Sequence, residues 1–316
     1  MTHTMQTLTL GPSGPTVPAL GIGTWAWGDK LYWGYGSDYD ESALRDAFKT
    51  AVEAGVNFFD TAEIYGFGES ERLIGRFAKE LQQPVILATK YFPLPWRIWG
   101  GAVADALTAS LKRLQVPTVD LYQVHWPFDF LMGQPTLMNA LADEVQQGRI
   151  KTVGVSNYSA EQMQRAFDLL AQRGVPLAVN QVQYSLLARQ IERNGVLDTA
   201  RQLGVIILAY SPLAQGLLTG KYAPETYTPP QGARKLDPRF SREGLEKLAP
   251  KVGLLKEIGQ KYDRTPAQVA LNWLIAQGNV VPIPGAKTAN QAAQNAGALG
   301  WALTEEERGA IAQTWQ

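Results

Sequence analysis

The chain has 316 residues, of which 45% are hydrophobic and 18% are charged, a balance typical of a soluble globular enzyme. Its 29 Lys and Arg residues balance 29 Asp and Glu residues, so the charge gives no sign of a surface for nucleic acid or an anionic membrane. The lack of cysteine excludes disulfides and thiol nucleophiles, and two histidines, His3 and His125, are too few for a metal site built on several imidazoles.

The N-terminal segment bears on where the protein works. MTHTMQTLTL has no basic stretch followed by an apolar run, so no signal peptide is expected. The longest apolar strand candidate, VIILAY at 205–210, is too short to span a bilayer. These two features predict a cytoplasmic protein with no membrane partner.

Short β-branched apolar runs alternate along the chain with amphipathic segments of helical length. A small hairpin is predicted at 7–20, ahead of the first run. The strand candidates are LGIGTW (20–25), NFFDTA (57–62), VILATK (85–90), VDLYQVH (119–125), TVGVSN (152–157), AVNQVQY (178–184), VIILAY (205–210) and VVPIPG (280–285). The helical candidates between them include 40–55, 101–115 and 159–174.

Eight strands that are each followed by a helix, and that are apolar throughout, indicate a parallel sheet covered on its outer side. A doubly wound open sheet fits the same alternation. The count of eight favours closure, as does the lack of a G-x-G-x-x-G motif after any strand. The sequence therefore predicts one α/β domain over residues 1–316, a (β/α)8 TIM barrel with an N-terminal β-hairpin.

Four residues at the ends of these strands form a candidate catalytic set. Asp60, Lys90 and His125 end the second, third and fourth strands, and Tyr65 lies in the loop after the second. Active sites of such barrels form at the carboxyl ends of the strands, so the four side chains are expected on one face.

These residue types suit the reduction of a carbonyl, whose oxygen gains negative charge and needs a proton. A Tyr hydroxyl carries a proton at neutral pH, and a Lys ammonium beside it eases the loss of that proton. Asp60 would hold the ammonium in place, and a neutral His125 would donate a hydrogen bond to the carbonyl oxygen. An alternative hypothesis is that Lys90 is the Schiff-base amine of a barrel isomerase or aldolase.

The sequence resembles the aldo-keto reductase superfamily over essentially its whole length. The resemblance implies a catalytic tetrad of Asp60, Tyr65, Lys90 and His125 with Tyr65 as the acid, and an NADPH or NADP⁺ cofactor bound without a Rossmann motif. The matching segments are LGIGTWAWG (20–28), FFDTAEIYG (58–66), VILATK (85–90), VDLYQVHWP (119–127), GRIKTVGVSNY (148–158), VNQVQYSL (179–186), AYSPLAQGLLTGKY (209–222) and IPGAK (283–287).

The resemblance also implies a set of cofactor-binding residues. Many relatives have Arg where Gln291 stands, and this departure bears on the preference for NADPH over NADH. Residues implied at the nicotinamide and the pyrophosphate are Ser156, Asn157, Gln181, Tyr210, Ser211, Leu213, Gln215, Gly216, Leu217 and Lys221. Residues implied at the 2′-phosphate and adenine are Gly285, Lys287, Thr288, Gln291, Gln294 and Asn295.

Aromatic residues crowd the loops that should surround the carbonyl. Trp25, Trp33, Tyr91 and Trp126 are the predicted substrate contacts, and such walls favour a planar or apolar carbonyl compound, with pyridoxal-like and aromatic aldehydes foremost. The long loop 211–240 is predicted to be a mobile lid over the cofactor. A small-molecule substrate and a monomer or weak homo-oligomer are expected.

The main alternative function belongs to a different class of protein. Some members of the superfamily are regulatory subunits of potassium channels, which use the bound nucleotide to report redox state. A protein of that kind would keep the four residues and turn over slowly.

Overall fold

The computed structural model describes residues 5–128, 132–229, 234–235 and 237–315. Within them, ten strands and ten α-helices occur along the chain. The strands are β1 (Thr7–Thr9), β2 (Thr16–Pro18), β3 (Ile22–Gly23), β4 (Phe58–Asp60), β5 (Ile86–Tyr91), β6 (Val119–Val124), β7 (Ile150–Ser156), β8 (Leu177–Gln183), β9 (Ile206–Tyr210) and β10 (Val280–Pro282). The helices are α1 (Glu41–Glu53), α2 (Glu69–Leu81), α3 (Gly101–Leu114), α4 (Gln134–Gln146), α5 (Ala160–Ala171), α6 (Val196–Leu203), α7 (Arg242–Tyr262), α8 (Pro266–Ile275), α9 (Ala289–Ala296) and α10 (Glu305–Thr314).

Strands β3 to β10 form a closed parallel barrel. Each strand pairs with the next one along the chain, in the order β3 to β10. The ring closes where the Gly21 and Gly23 amides donate to the carbonyls of Pro282 and Pro284, both at 3.0 Å. Gly23 permits this approach, since a Cβ there would lie 2.7 Å from the Ile283 carbonyl oxygen. The predicted barrel is confirmed, and the open sheet is excluded.

The predicted N-terminal hairpin is also confirmed. Strands β1 and β2 pair in antiparallel fashion, with Leu8 opposite Val17. Leu10 and Val17 are fully buried and pack against Phe58 and Leu121 inside the barrel. The hairpin therefore closes the floor of the barrel, opposite the carboxyl ends of the strands.

Alternation along the strands separates an inner from an outer core. Phe58, Ala88, Leu121 and Val179 belong to the inner core. Their chain neighbours, such as Phe59 on β4, pack outward into a larger cluster shared with the helices. Because side chains of a strand alternate in direction, residues two positions beyond each inner residue also point inward, toward the top of the barrel.

Helix ends follow the expected local chemistry. Ser159 caps α5 with a reciprocal capping box to Gln162. Gly55 follows α1 with φ +82°, a conformation that costs glycine little. In the part of the chain described, no helix is both long and apolar enough to cross a membrane.

The loop 211–240 after β9 is only partly described. It contains short 3₁₀ turns at Ala214–Thr219, Pro224–Thr226 and Pro238–Phe240. Residues 230–233 and 236, which the lid prediction includes, lie outside the described residues, as does His3. The lid therefore stays a prediction.

Candidate active site

The fold brings the four predicted catalytic residues to the carboxyl ends of consecutive strands. Asp60 is the last residue of β4, Lys90 is the penultimate residue of β5, and His125 directly follows β6. Tyr65 begins a 3₁₀ turn, Tyr65–Gly68, after β4. The expected placement on one face of the barrel is therefore what the structure has.

Lys90 lies at the centre of this group and is fully buried. Its Nζ donates to Asp60 Oδ2 at 2.5 Å, to the Thr61 carbonyl at 2.8 Å and to the Tyr65 hydroxyl at 3.3 Å. An ammonium has three N–H donors, so these contacts use all of them and fix the direction of each. The third N–H is thereby aimed at the Tyr65 oxygen.

The charges of this cluster follow from burial and from each neighbour. Burial by itself would lower the pKa of Lys90, but the Asp60 carboxylate and the Tyr65 hydroxyl outweigh it, and the net pKa is raised. Burial raises the pKa of Tyr65, and the Lys90 ammonium opposes that rise. At neutral pH the site therefore holds an ammonium beside a protonated phenol.

A protonated, fully paired Lys90 is a poor nucleophile. Lys90 is also absent from the described residues that line the cavity above it. The Schiff-base reading therefore gains no support from the geometry.

His125 is neutral and contacts the tyrosine ring. The two ring centroids lie 5.6 Å apart in an edge-to-face arrangement. Burial, helped by the nearby Lys90 charge, lowers the pKa of His125 to about 2. Its Nδ1 is buried and has no hydrogen-bond partner among the described residues. A neutral imidazole can donate one hydrogen bond without carrying charge.

A cavity of about 720 Å³ opens above the tetrad, within the size range of small-molecule and cofactor sites. Asp60, Tyr65 and His125 line it on one side. The ends of β7, β8 and β9, the loops after β3 and β9, and the segment after β10 line most of the remainder.

A series of hydrogen bonds links polar groups next to the tetrad and involves both the main-chain carbonyl and the side chain of Gln181. The Tyr210 hydroxyl donates to Asn157 Oδ1 at 3.0 Å, and Asn157 Nδ2 donates to Ser156 Oγ at 3.1 Å. Ser156 Oγ donates to the Gln181 carbonyl at 2.9 Å, and Gln181 Nε2 donates to Asp60 Oδ1 at 2.8 Å. This part of the cavity offers fixed amide and hydroxyl groups to a flat polar ligand.

Another part of the cavity concentrates positive charge. Burial lowers the pKa of Lys287, and the nearby Arg234 and Lys221 lower it further against the opposing pull of Asp38. None of the three cations forms a salt bridge with any residue described. Helix α9 begins beside them, with Thr288 as its N-cap. Repelling cations at a helix N-terminus are the arrangement expected at a phosphate site.

Comparison with known proteins identifies the family. The model of the Aldo/keto reductase family matches residues 19–316. Pyridoxal reductase of Arabidopsis thaliana is 41% identical over 315 residues, covering 96% of this chain and 84% of that protein. The chain belongs to the aldo/keto reductase family. It is therefore an oxidoreductase, as its sequence resemblance implied.

Solved structures of aldo/keto reductases and related enzymes share the fold. A glycerol dehydrogenase from Gluconobacter oxydans aligns with a TM-score of 0.85 at 30% identity, over 98% of this chain and 94% of that one. An aldo-keto reductase from Klebsiella pneumoniae, solved in complex with NADPH, aligns with a TM-score of 0.76 at 29% identity, over 99% and 95% of the two chains.

Most of the residues that the aldo/keto reductase resemblance implied for the cofactor line the cavity. Leu217 and Thr288 do not. Leu217 is buried in the outer core, and the Thr288 hydroxyl caps α9 by accepting from the Gln291 amide. The lining residues from that set are Ser156, Asn157, Gln181, Tyr210, Ser211, Leu213, Gln215, Gly216, Lys221, Gly285, Lys287, Gln291, Gln294 and Asn295.

The predicted substrate contacts divide in the same way. Trp25, Trp33 and Trp126 line the cavity. Tyr91 does not, because it follows the inward-pointing Lys90 on β5 and points outward, where it is fully buried in the outer core. The geometry therefore gives Tyr91 no contact with a substrate in this cavity.

Gln123 is a site residue that the sequence reasoning missed. It lies on β6, is fully buried and donates from Nε2 to Asp60 Oδ1 at 2.9 Å. The signal was present in VDLYQVH, where Gln123 is the amide two residues before His125 and so shares its face of the strand.

Proposed function

We propose that this aldo/keto reductase uses NADPH to reduce an aldehyde or ketone to the alcohol, and that Tyr65 gives the proton. The observation that carries the proposal is the Lys90 ammonium, held by Asp60 and directed at the Tyr65 hydroxyl at 3.3 Å. The expectation of NADP(H) is confirmed at the level of the family, since aldo-keto reductases of Klebsiella pneumoniae were solved with NADPH and with NADP.

The residues around the cavity fit this cofactor. Lys221 and Arg234 both repel the Lys287 ammonium, and the three cations lack ion-pair partners among the described residues, so the phosphates would relieve that repulsion. Ser156, Asn157 and Gln181 would hold the carboxamide, and the Tyr210 ring would stack on the nicotinamide. Gln215 supports the fit, because this residue lines the cavity and its buried Oε1 has no partner among the residues described. When bound, NADPH supplies the hydride that reduces the carbonyl carbon.

The chain's own residues manage the proton. Tyr65 donates its hydroxyl proton to the carbonyl oxygen as negative charge builds there. Lys90 stabilises the resulting phenolate, and Asp60 keeps Lys90 charged and aimed. His125, neutral because burial lowers its pKa to about 2, donates a hydrogen bond to the same oxygen. Trp25 and Trp126 line the cavity, and their rings would help to keep water from the reacting centre.

Aromatic aldehydes, pyridoxal among them, are the substrate class that we propose. Trp25 packs on Tyr32 and Trp33 with ring centroids 5.1 and 5.4 Å away, which builds one aromatic wall. Trp126 stacks on Phe128 at 5.8 Å on another side. The 41% identity to a pyridoxal reductase supports the same class.

Replacing Tyr65 tests this function. Y65F removes the proton donor but keeps the ring, so we expect kcat for pyridoxal or benzaldehyde to fall by about 10²–10⁴-fold. The dissociation constant for NADPH, measured by fluorescence titration, should change little. Tyr262→Phe, at the last residue of α7 and outside the described lining of the cavity, is the matched control and should retain activity.

Two results contradict the proposal. Equal turnover by Y65F and the unaltered protein excludes Tyr65 as the acid. Uniformly slow turnover of aromatic, aliphatic and sugar aldehydes by the unaltered protein, combined with tight NADPH binding, favours a redox-sensing subunit instead.

A further inference from the structure

The top of the barrel interior is a closed layer of polar side chains. Asp60, Lys90, Gln123 and Gln181 each stand two residues beyond an inner-core residue on their own strand. All of them are at most 2% exposed. A buried carboxylate needs several donors to offset the loss of water, so the contacts of Asp60 in this layer are decisive.

The Asp60 carboxylate is held at both oxygens. Oδ2 accepts from Lys90 Nζ. Oδ1 accepts from Gln123 Nε2 at 2.9 Å and from Gln181 Nε2 at 2.8 Å. Such charge-assisted hydrogen bonds are roughly twice as strong as neutral ones. Rotation of the carboxylate would break all of them together, so the direction of Oδ2 toward Lys90 is fixed.

The orientation of the Gln123 amide is determined by its two neighbours. Its Oε1 accepts from Gln181 Nε2 at 3.1 Å, while its Nε2 faces the Asp60 oxygen. The flipped amide would set an acceptor against the carboxylate and a donor against a donor. Only the observed orientation satisfies both contacts.

A glycine on the neighbouring strand makes room for this side chain. A Cβ at Gly154 of β7 would lie 2.9 Å from Gln123 Cγ and 2.4 Å from Val179 Cγ2. A distance below 3.0 Å is too short for such carbon atoms. The lack of a side chain at position 154 is therefore what lets Gln123 reach Asp60.

We propose that Gln123 is a positioning residue, which locks the Asp60 carboxylate so that Lys90 is aimed at the Tyr65 hydroxyl. It acts through Asp60 and Lys90 and does not line the cavity. The inference rests on the proposed role of Tyr65 as the acid. Without Gln123, Oδ1 of Asp60 loses one of its two glutamine donors, the carboxylate is held less firmly, and the ammonium is aimed less well at the Tyr65 phenolate.

Replacing Gln123 by Met or Asn tests this role. Q123M keeps the length of the side chain without a donor, and Q123N keeps the amide but withdraws it by one methylene. We expect either variant to lower kcat by about 10–100-fold, with little change in the KM for the aldehyde. In the reverse reaction, alcohol oxidation with NADP⁺, Tyr65 must be ionised. The pH at which that rate rises should therefore move upward by about one unit or more.

Asn180→Leu is the matched control. Asn180 is an equally buried amide on β8, but it points outward and donates to the Tyr158 carbonyl at 3.0 Å. Its loss should lower the melting temperature and leave the pH profile of the unaltered protein in place.

The outcomes separate this inference from the proposed function. A strong effect of Y65F together with an unaltered pH profile in a folded Q123M or Q123N overturns the positioning role alone. An upward shift of the profile in either folded variant, absent in Asn180→Leu, supports it. No effect of Y65F overturns the proposed function itself.

Discussion

At the scale of the residue, burial determines the charge of His125. Burial and the Lys90 charge lower its pKa to about 2, against an ordinary value of 6.5. The folded protein therefore keeps this imidazole neutral over the whole range in which the unfolded chain takes up a proton. Neutrality suits a hydrogen-bond donor to a developing oxyanion, because an imidazolium would repel the ammonium of Lys90.

This neutrality has a consequence for stability. A group whose pKa is lowered by folding contributes stability above its unfolded pKa, and that contribution is lost as the pH falls below about 6.5. At pH 4.5 the loss amounts to about 2–3 kcal/mol relative to pH 7.5. His125→Gln removes the titrating group. Between pH 7.5 and pH 4.5, the unfolding free energy of this variant should therefore fall by about 2–3 kcal/mol less than that of the unaltered protein. Urea unfolding at both pH values measures the difference, and parallel losses in the two proteins contradict the prediction.

Individual residues also show how much of the candidate site the sequence could predict. Asp60, Lys90 and His125 were predicted because a strand end in a barrel has a known location, whatever surrounds it. Tyr91 was predicted as a substrate contact because it lies next to Lys90. Side chains alternate in direction along a strand, so the inward direction of Lys90 already implies that Tyr91 points outward. The alternation in VDLYQVH places Gln123 on the same face as His125, but its role was missed because that role depends on a contact with Asp60 across 63 residues of sequence.

At the scale of the element, strands and helices were predicted well because burial and period specify them locally. The predicted helix at 101–115 is α3, Gly101–Leu114, and the eight apolar runs are the eight barrel strands. Loops were harder, since their conformation depends on distant partners. Trp27 lies two residues after Trp25 in the loop after β3, yet it is fully buried in the outer core, where its indole donates to the Ala286 carbonyl at 2.8 Å.

Arg97 illustrates the same dependence and joins two of these loops. From the loop after β5 it forms a bidentate ion pair with Glu63, in the loop after β4, and donates to the Phe92 carbonyl. Both charged side chains are largely buried, at 18% and 8% exposure. Arg97 therefore joins the two loops through a largely buried ion pair, the Arg97–Glu63 clasp.

Breaking this clasp should destabilise the protein. Arg97→Met removes the cation that pairs with Glu63, which then keeps the Phe92 amide as a donor in a largely buried setting. This change is expected to cost about 1–3 kcal/mol of unfolding free energy. Adding Glu63→Gln should recover part of the loss, because the uncompensated charge is removed. Thermal or urea unfolding of both variants measures this. Lys247→Met is the control, because it breaks an exposed pair with Glu243 and should have little effect on the unfolding free energy. Additive losses of unfolding free energy in the double variant at Arg97 and Glu63 would contradict the clasp.

At the scale of the whole molecule, barrel closure places two kinds of chemistry in one cavity. The ends of the first strands and the turn after β4 supply the tetrad, and the segments after β9 and β10 supply Lys221, Arg234 and Lys287. Closure through Gly23 and Gly285 brings the start and the end of the ring side by side. The part of the cavity around Lys287, its cation end, thus lies next to the aromatic wall. Lys287 Nζ lies 5.7 Å from the Trp33 ring centroid and 4.4 Å from that of Tyr39.

The choice between NADPH and NADH depends on this cation end. Gln291, where many relatives have Arg, accepts from the Lys287 amide through Oε1 at 2.7 Å, so its side chain anchors the loop instead of supplying charge. Lys287 is then the main candidate for the contact with the 2′-phosphate. Burial and Arg234 both lower the pKa of Lys287. A 2′-phosphate dianion would offset both effects, because its negative charge stabilises the ammonium.

Lys287→Met should therefore weaken NADPH binding by about 10–100-fold, the worth of one hydrogen bond to a charged group. NADH lacks the 2′-phosphate, so its dissociation constant should change by less than about twofold. Fluorescence titration at two salt concentrations measures both constants, and the salt dependence of NADPH binding should flatten in the variant. Lys49→Met, on the exposed face of α1, is the control and should change neither constant. Equal weakening of NADPH and NADH would place Lys287 at the pyrophosphate, and the 2′-phosphate would then be left to Arg234 or to the α9 amides.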